Sequence, residues 1–209
     1  MNANLSDLEK GVVEGDLEKT VGLTKEMLEK GVEPWEIVDQ LRHALQIVGK
    51  EYETGAFFLT ELVLAGMAAK EVMNVLKPVL ARGKKKFLAK VVLCTVEGDI
   101  HDIGKTIVEA VFTGAGFDVI DLGVDVPAAK VVETVRKQNP DVVALSALLT
   151  STMVNQEKVI NELKKAGLRD RVIVIVGGAP IDQEFARRIG ADAYADDPIE
   201  GARKIERLL

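Results

Sequence analysis

The feature that most constrains the fold is a change of hydrophobic pattern near residue 88. From there onward, five short runs rich in β-branched residues alternate with amphipathic stretches whose apolar residues recur every three or four positions. Near-continuous apolar strands separated by helices are typical of a parallel sheet that is covered on both faces. We predict strands at 89–96, 117–123, 141–148, 171–178 and 191–196, and helices at about 103–115, 127–138, 152–166, 181–189 and 197–208.

The first 80 residues have a different pattern, which predicts a separate domain. Their apolar residues recur at helical spacing, and Pro34 suits the first turn of a helix. Four helices joined by short loops form a bundle. We therefore predict a protein of the α/β class with a four-helix bundle domain at 1–83 and a linker at 84–88. A flavodoxin-like (Rossmann-like) domain with a five-stranded parallel sheet follows at 89–209, and ligands of such folds bind at the carboxyl ends of the strands.

Composition and charge argue against several classes of function. The chain has 27 Lys and Arg against 33 Asp and Glu and only 4% aromatic residues, a balance that argues against a nucleic-acid partner. Its single cysteine, Cys94, excludes an intramolecular disulfide or an all-cysteine metal site, and we expect it in the core. No apolar run reaches the ~18 residues of a membrane span, and the acidic start does not look like a signal peptide. We expect no membrane partner and a cytoplasmic location.

The loop after the first predicted strand carries the most informative motif, TVEGDIHDIGKTIV. It is not a phosphate-binding P-loop, because Gly98 and Gly104 enclose five residues where that motif has four, and Asp99 and Asp102 would repel phosphate. The spacing Asp99-x-His101-x-x-Gly104 instead suits a metal ligand: one ring nitrogen of His101 can reach a metal while Asp99 accepts the N–H of the other. The motif alone is also compatible with a loop histidine that binds no metal and is only hydrogen-bonded by the aspartate.

Two further short motifs lie at the ends of predicted strands. Ser146-x-Leu148 follows Gly104 after 41 residues, and Gly177-Gly178 follows Leu148 after another 28. Together with the histidine loop, they resemble the signature of the cobalamin-binding fold, D-x-H-x-x-G, then S-x-L, then GG. The stretch GAFFLTELVLAGMAAKEVMNVLKP resembles the cap-domain helix of the same proteins. The segments LGVDVP and LSALLTSTM are similar to segments of corrinoid proteins of methylamine-type methyltransferase systems.

The resemblance implies a cofactor and the way in which it is bound. The cofactor would be cobalamin or a related corrinoid, with its own base displaced (base-off) and a protein histidine in its place. His101 would be the lower axial cobalt ligand, and Asp99 would accept the proton-bearing ring nitrogen. Thr152 would continue this relay where methionine synthase has a serine. Asp99, His101 and Thr152 are therefore the candidate catalytic residues.

The resemblance also implies a slot for the displaced nucleotide tail. Gly104, Gly177 and Gly178 would leave room for the tail, although the glycine pair also fits a tight strand-to-loop turn. Ser146 would hydrogen-bond the base of the tail, with Thr150 assisting.

The remaining implied contacts come from the last strand and from the helical domain. Tyr194 and Ala195 would flank the tail. Phe58, Leu62 and Ala65 share one helical face and would cover the upper face of the corrin, although such a stripe also fits a bundle core. The full set of implied cofactor-binding positions is Phe58, Leu62, Ala65, Asp99, Ile100, His101, Asp102, Ile103, Gly104, Ser146, Leu148, Thr150, Thr152, Gly177, Gly178, Tyr194 and Ala195.

The function implied by the resemblance is that of a corrinoid methyl carrier, which is not expected to catalyse a reaction alone. It would shuttle a methyl group from a substrate-specific methyltransferase to a second methyltransferase that uses a folate or a thiol coenzyme. By similarity the donor is a methylamine, a reductive activase is a further partner, and segment 81–87 is the hinge of the cap. Two alternatives stay open: the cobalamin-binding subunit of an adenosylcobalamin-dependent isomerase, and a cobalamin sensor.

Overall fold

The computed structural model describes residues 6–80 and 87–209. The chain divides into two compact units, residues 1–87 with Ala110–Phe117, and Leu88–Glu109 with Asp118–Leu209. The units differ from the predicted contiguous domains at Ala110–Phe117. Residues 81–86, which hold most of the predicted linker and hinge, lie outside the described residues.

The first unit contains the four predicted helices. They are α1 (Asp7–Glu14), α2 (Leu17–Glu29), α3 (Pro34–Glu53) and α4 (Leu59–Leu80). Helix α1 packs against the other three, and α4 packs against α2 and α3. Pro34 occupies the first turn of α3 as predicted, where its missing N–H is not needed.

The start of α1 is fixed by side chains. Ser6 and Glu9 form a reciprocal capping box, in which each side chain accepts the backbone N–H of the other residue. Glu9 Oε1 also lies 2.6 Å from Nδ1 of the half-exposed His43. Burial opposes ionisation of Glu9, but the hydrogen bonds from His43 and Ser6 outweigh it and lower the pKa of this carboxyl. His43 therefore has a partner that the sequence did not indicate.

The second unit contains the predicted parallel sheet. Its strands are β1 (Lys90–Thr95), β2 (Asp118–Asp121), β3 (Val142–Ser146), β4 (Ile173–Gly177) and β5 (Ala193–Tyr194). The helices that follow the strands are α5 (Ile103–Gly114), α6 (Ala128–Gln138), α7 (Val154–Lys165), α8 (Gln183–Ile189) and α9 (Pro198–Leu208). Each of these strands and helices lies within its predicted range, whereas the short 3-10 helix Arg169–Arg171 was not predicted. Across the described ranges, none of the helices combines the length and the apolar character needed to cross a membrane.

The strand order places a topological switch point at one edge of the sheet. The order is β2-β1-β3-β4-β5, and all neighbouring strands run parallel. The winding direction reverses between β1 and β3, and in such folds the loops at this switch point diverge and leave room for a ligand. Thr95 pairs with Ser146, and Ser146 pairs with Gly177, so β1, β3 and β4 end at the same level. The loops that carry the predicted motifs therefore meet at one edge.

We predict that Cys94, the last residue but one of β1, is unreactive in the folded protein. It is fully buried, and this burial, together with the nearby Asp121 carboxylate, raises the pKa of its thiol to about 12. Dithionitrobenzoate should therefore release almost no chromophore from the native protein and one equivalent per chain after denaturation. A Cys94→Ser variant serves as the blank, and a full equivalent released from native protein would contradict the prediction.

Candidate functional site

The site is built around the carboxylate of Asp99, in the loop between β1 and α5. The side chain has no exposed surface. Its Oδ1 accepts hydrogen bonds from His101 Nδ1 at 2.7 Å and from the His101 backbone N–H at 3.1 Å. Its Oδ2 accepts the backbone N–H of Leu148 and the hydroxyl of Thr152, both at 2.7 Å. One buried carboxylate thus joins the loop after β1 to the loop after β3, across the switch point.

These donors keep Asp99 ionised. Burial raises the pKa of a carboxyl group, but the hydrogen bonds from Thr152, Leu148 and His101 outweigh it and hold the pKa of Asp99 well below its usual range. An ionised carboxylate can only accept hydrogen bonds, so the shared proton belongs to Nδ1 of His101. This assignment leaves the lone pair of a neutral His101 on Nε2.

His101 is held firmly but remains accessible. Its side chain is 47% exposed, and within the described part of the chain Nε2 makes no hydrogen bond. Its backbone oxygen accepts the hydroxyl of the buried Thr95 at 3.0 Å. The backbone and one ring nitrogen are therefore fixed by the protein, and the other ring nitrogen can bind a ligand.

Thr152 lies where the resemblance implies a relay hydroxyl. It is nearly fully buried, and its oxygen lies 2.7 Å from Asp99 Oδ2 and 3.0 Å from the Leu149 carbonyl. A hydroxyl has a single hydrogen, and the shorter contact to the charged oxygen favours donation to Asp99. The structure thus brings His101, Asp99 and Thr152 into one chain of hydrogen bonds.

Two further hydroxyls follow β3. Ser146 is half-buried at the end of the strand, and Thr150 is exposed in the turn before α7. Among the described residues, neither hydroxyl has a hydrogen-bond partner. Both can therefore bind a ligand, as the resemblance implies for the base of the tail.

The three motif glycines have different surroundings. A Cβ at Gly104 would meet no atom within 4 Å, so open space lies beside this residue. At Gly177 a Cβ would lie 3.0 Å from the Ala195 carbonyl. Gly178 has φ +126°, and a Cβ there would lie 1.8 Å from the Ala147 carbonyl, so the tight turn alone requires a glycine. Leaving room for a tail therefore stays a prediction for Gly104 and Gly177, and it is not needed to explain Gly178.

The end of β5 lies at the same edge of the sheet. Tyr194 is half-buried and donates its hydroxyl to the Asp196 carboxylate. Burial is the larger cause and this hydrogen bond is the next, and both raise the pKa of the Tyr194 phenol above its ordinary value. Ala195 donates its backbone N–H to the Val176 carbonyl at 3.1 Å, which ties the last strand to β4.

Exposed apolar side chains flank His101. Ile100 is 75% exposed and Ile103 is 77% exposed, and Leu148 is also exposed. Large aliphatic side chains so close together at a polar loop suit a ligand with an apolar face. Asp102 has an exposed side chain, and its carbonyl accepts the Thr106 N–H at 2.7 Å, which begins α5.

The three residues predicted to cover the corrin, Phe58, Leu62 and Ala65, differ in their exposure to solvent within the helical unit. Phe58, just before α4, is 70% exposed. Leu62 and Ala65 have no exposed surface and are core side chains in this structure, so they present no face to a ligand. The alternative of a bundle core describes these two residues, and Phe58 alone of the three is accessible.

Sequence reasoning missed several residues that hold the histidine loop. Thr95 holds the backbone of His101, and Asn155 donates to the Glu97 carbonyl at 2.7 Å. Asp125 accepts the Gly98 N–H at 2.7 Å. Asp125 lies in the segment LGVDVP, whose similarity to corrinoid proteins did not indicate a role for this residue.

Comparison with known families finds a match for each of the two parts of the chain. A B12 binding domain family matches residues 89–203, which include the histidine loop and both later motifs. A second B12 binding domain family matches residues 5–77, in the helical part.

Comparison with individual proteins leads to the same class. The chain is 40% identical to trimethylamine corrinoid protein 1 of Methanosarcina acetivorans, over 95% of this chain and 93% of that protein. A cobalamin-binding protein from Desulfitobacterium hafniense has a similar structure, with a TM-score of 0.82 and 31% identity over the whole of both chains. The methanol:cobalamin methyltransferase complex MtaBC from Methanosarcina barkeri also matches, with a TM-score of 0.82 and 28% identity over 98% of this chain and 78% of that chain. The chain therefore belongs to the family of corrinoid proteins with B12 binding domains, and this membership supports a corrinoid cofactor.

We predict that the Thr152 hydroxyl stabilises the folded protein through Asp99. Thr152→Val keeps the shape but leaves one lone pair of a buried carboxylate without its donor, which costs about 1.5–3 kcal/mol of unfolding free energy. Thr152→Ser keeps the hydroxyl and removes one methyl group, which costs about 1 kcal/mol. Urea unfolding of the two variants measures the difference. A Thr152→Val variant that is as stable as Thr152→Ser would contradict the assigned hydrogen bond.

Proposed function

We propose that this protein carries a methyl group on a bound cobalamin or related corrinoid, held base-off with His101 as the lower axial ligand of cobalt. The observation that carries the proposal is the pairing of His101 with an ionised, buried Asp99. The cobalt of the corrinoid would supply the centre that accepts and releases the methyl group.

The residues at the site fit such a group. Nε2 of His101 has no hydrogen-bond partner among the described residues, and its ring is accessible. Exposed Ile100 and Ile103 offer apolar surface beside it, and space lies open at Gly104. A single accessible imidazole suits a metal whose other ligands belong to its own macrocycle.

The role of Asp99 is to orient His101 and to strengthen it as a ligand. A carboxylate that accepts the second ring N–H fixes the tautomer and raises the basicity of the coordinating nitrogen. The Thr152 hydroxyl stabilises the charge on Asp99 and so controls how strongly Asp99 attracts that proton. We propose that this relay adjusts the strength of His101 as a ligand when the methyl group arrives or leaves.

The hydroxyl and glycine residues at the strand ends would bind the displaced nucleotide tail. The Ser146 hydroxyl lacks a partner among the described residues and would bind the base, with Thr150 assisting. Gly104 and Gly177 would leave room, and Tyr194 and Ala195 would flank the tail. In the helical unit, the exposed ring of Phe58 would shield the upper face of the corrin.

The relatives support a choice of donor and partners. The trimethylamine corrinoid protein is 40% identical to this chain, whereas the chain matched in the methanol complex is 28% identical. We therefore propose a methylamine as donor and a substrate-specific methyltransferase as the first partner. A second methyltransferase acting on a folate or thiol coenzyme and a reductive activase would complete the system. We propose that this protein acts in the cytoplasm.

The test is reconstitution with hydroxocobalamin, removal of unbound cofactor, cobalt quantitation and EPR of the cobalt(II) state. Protein labelled with ¹⁵N-histidine distinguishes a protein ligand from the cofactor's own base, because labelling changes the nitrogen splitting from a triplet to a doublet. We expect stoichiometric cobalt and this change in the wild type. His101→Ala should lose the label-dependent splitting, whereas His43→Ala, which removes the other histidine of the chain, should keep it.

Each alternative result has a defined meaning. Failure to retain cobalt would overturn the cofactor assignment. A label-dependent splitting that survives in His101→Ala would overturn the axial role of this residue. Tight binding of adenosylcobalamin with weak binding of hydroxocobalamin would favour the isomerase or sensor alternatives over a methyl carrier.

A further inference from the structure

Asp125, in the loop between β2 and α6, has an unusual backbone conformation. Its φ is +53°, in the left-handed region that residues with a Cβ rarely adopt. Among the described residues, Asn139 is the other non-glycine residue with a positive φ. Such a conformation persists only where surrounding contacts hold it, and it is concentrated at functional sites.

The contacts that hold Asp125 lead directly to the histidine loop. Its Oδ1 accepts the backbone N–H of Gly98 at 2.7 Å. Its own backbone N–H donates to the Asp99 carbonyl at 2.9 Å. Asp125 therefore binds both ends of the dipeptide Gly98-Asp99. Within the described residues, its carboxylate has no other partner.

The loop that carries Asp125 also contacts residues that follow and precede His101 in the sequence. Asp121, at the end of β2, accepts the Gly123 N–H at 2.9 Å and pairs with the buried ammonium group of Lys105, in the first turn of α5. Gly123 accepts the Thr95 N–H at 3.0 Å, and the Thr95 hydroxyl donates to the His101 carbonyl. The loop after β2 therefore braces the histidine loop from both directions.

We propose that Asp125 is a positioning residue for the axial histidine: it fixes the backbone at Gly98-Asp99 and thereby the direction in which the Asp99 carboxylate presents the His101 ring. The inference rests on the proposed function, because it assigns a task to His101 only when that residue is a ligand. Without the Asp125 carboxylate, the turn at Gly98 loses a restraint, and the ring of His101 samples more directions. The fraction of bound corrinoid coordinated by His101 then falls.

Three variants separate this role from a general effect on the backbone. Asp125→Gly keeps the left-handed conformation and removes the carboxylate. Asp125→Asn keeps an oxygen that can accept the Gly98 N–H and tolerates the same conformation. Asn139→Gly is the matched control, because Asn139 also has a positive φ and its side-chain oxygen accepts a hydrogen bond from Arg171 at 2.5 Å, but it precedes β3 at the opposite edge of the sheet.

The first measurement uses the protein without cofactor. Hydrogen exchange at the Gly98 amide, followed by NMR, should become at least about tenfold faster in Asp125→Gly, the change expected for the loss of one hydrogen bond to a charged acceptor. It should stay close to wild type in Asp125→Asn and Asn139→Gly. Equal exchange in Asp125→Gly and the wild type would overturn the inference.

The second measurement uses protein loaded with hydroxocobalamin, reduced to cobalt(II) and labelled with ¹⁵N-histidine. At equal cobalt content, the fraction of the EPR signal with histidine splitting should fall in Asp125→Gly and recover in Asp125→Asn. An unchanged fraction in Asp125→Gly, no recovery in Asp125→Asn, or an equal fall in Asn139→Gly would overturn the inference. A wild type without histidine splitting would instead overturn the axial-ligand proposal itself, and the positioning role with it.

Discussion

The carboxylate of Asp99 is the interaction on which the rest of the site depends. A buried charge is tolerated only where hydrogen bonds replace its lost hydration. Asp99 has no exposed surface, and four donors surround it: two from His101, one from Leu148 and one from Thr152. Because each of these hydrogen bonds to a charged group is worth about 1.5–3 kcal/mol, moving any one partner is costly. The same set of contacts that satisfies the charge also fixes the imidazole.

The topology of the sheet explains how residues far apart in sequence come to share this carboxylate. Asp99 and Thr152 are 53 positions apart. They meet because β1 and β3 are parallel neighbours that end at one level, and because the chain winds away from this point in opposite directions. The histidine loop is then braced from its other side by the loop that follows β2, the strand adjacent to β1. The winding of the chain favours a ligand site at this edge, and the residues that the loops carry would decide its chemistry.

The sequence was sufficient to predict the fold and the hydrogen bonds at the centre of the candidate site. It was not sufficient to predict which side chains of α4 are buried or which residues of neighbouring loops contact each other. Short runs rich in β-branched residues located all five strands, and the helical spacing of apolar residues located the helices of both units. The local spacing of Asp99 and His101 indicated their pairing, and the resemblance to a known family indicated Thr152. By contrast, α4 is apolar over much of its surface, so helical spacing could not tell that Leu62 and Ala65 are buried while Phe58 is exposed. Asp125 was missed because its role depends on a backbone conformation and on a loop that β2 brings beside β1.

The tautomeric state of His101 in the protein without cofactor shows whether an ionised Asp99 holds the imidazole ring. Multiple-bond ¹⁵N–¹H NMR of ¹⁵N-histidine-labelled protein in alkaline buffer resolves two imidazoles, because the chain has two histidines, and His101→Ala assigns them. If an ionised Asp99 holds the ring, the proton of His101 lies on Nδ1, and Nε2 shows the shift of an unprotonated nitrogen. A His101 ring that carries its proton on Nε2, or that averages between the two tautomers, would contradict the account.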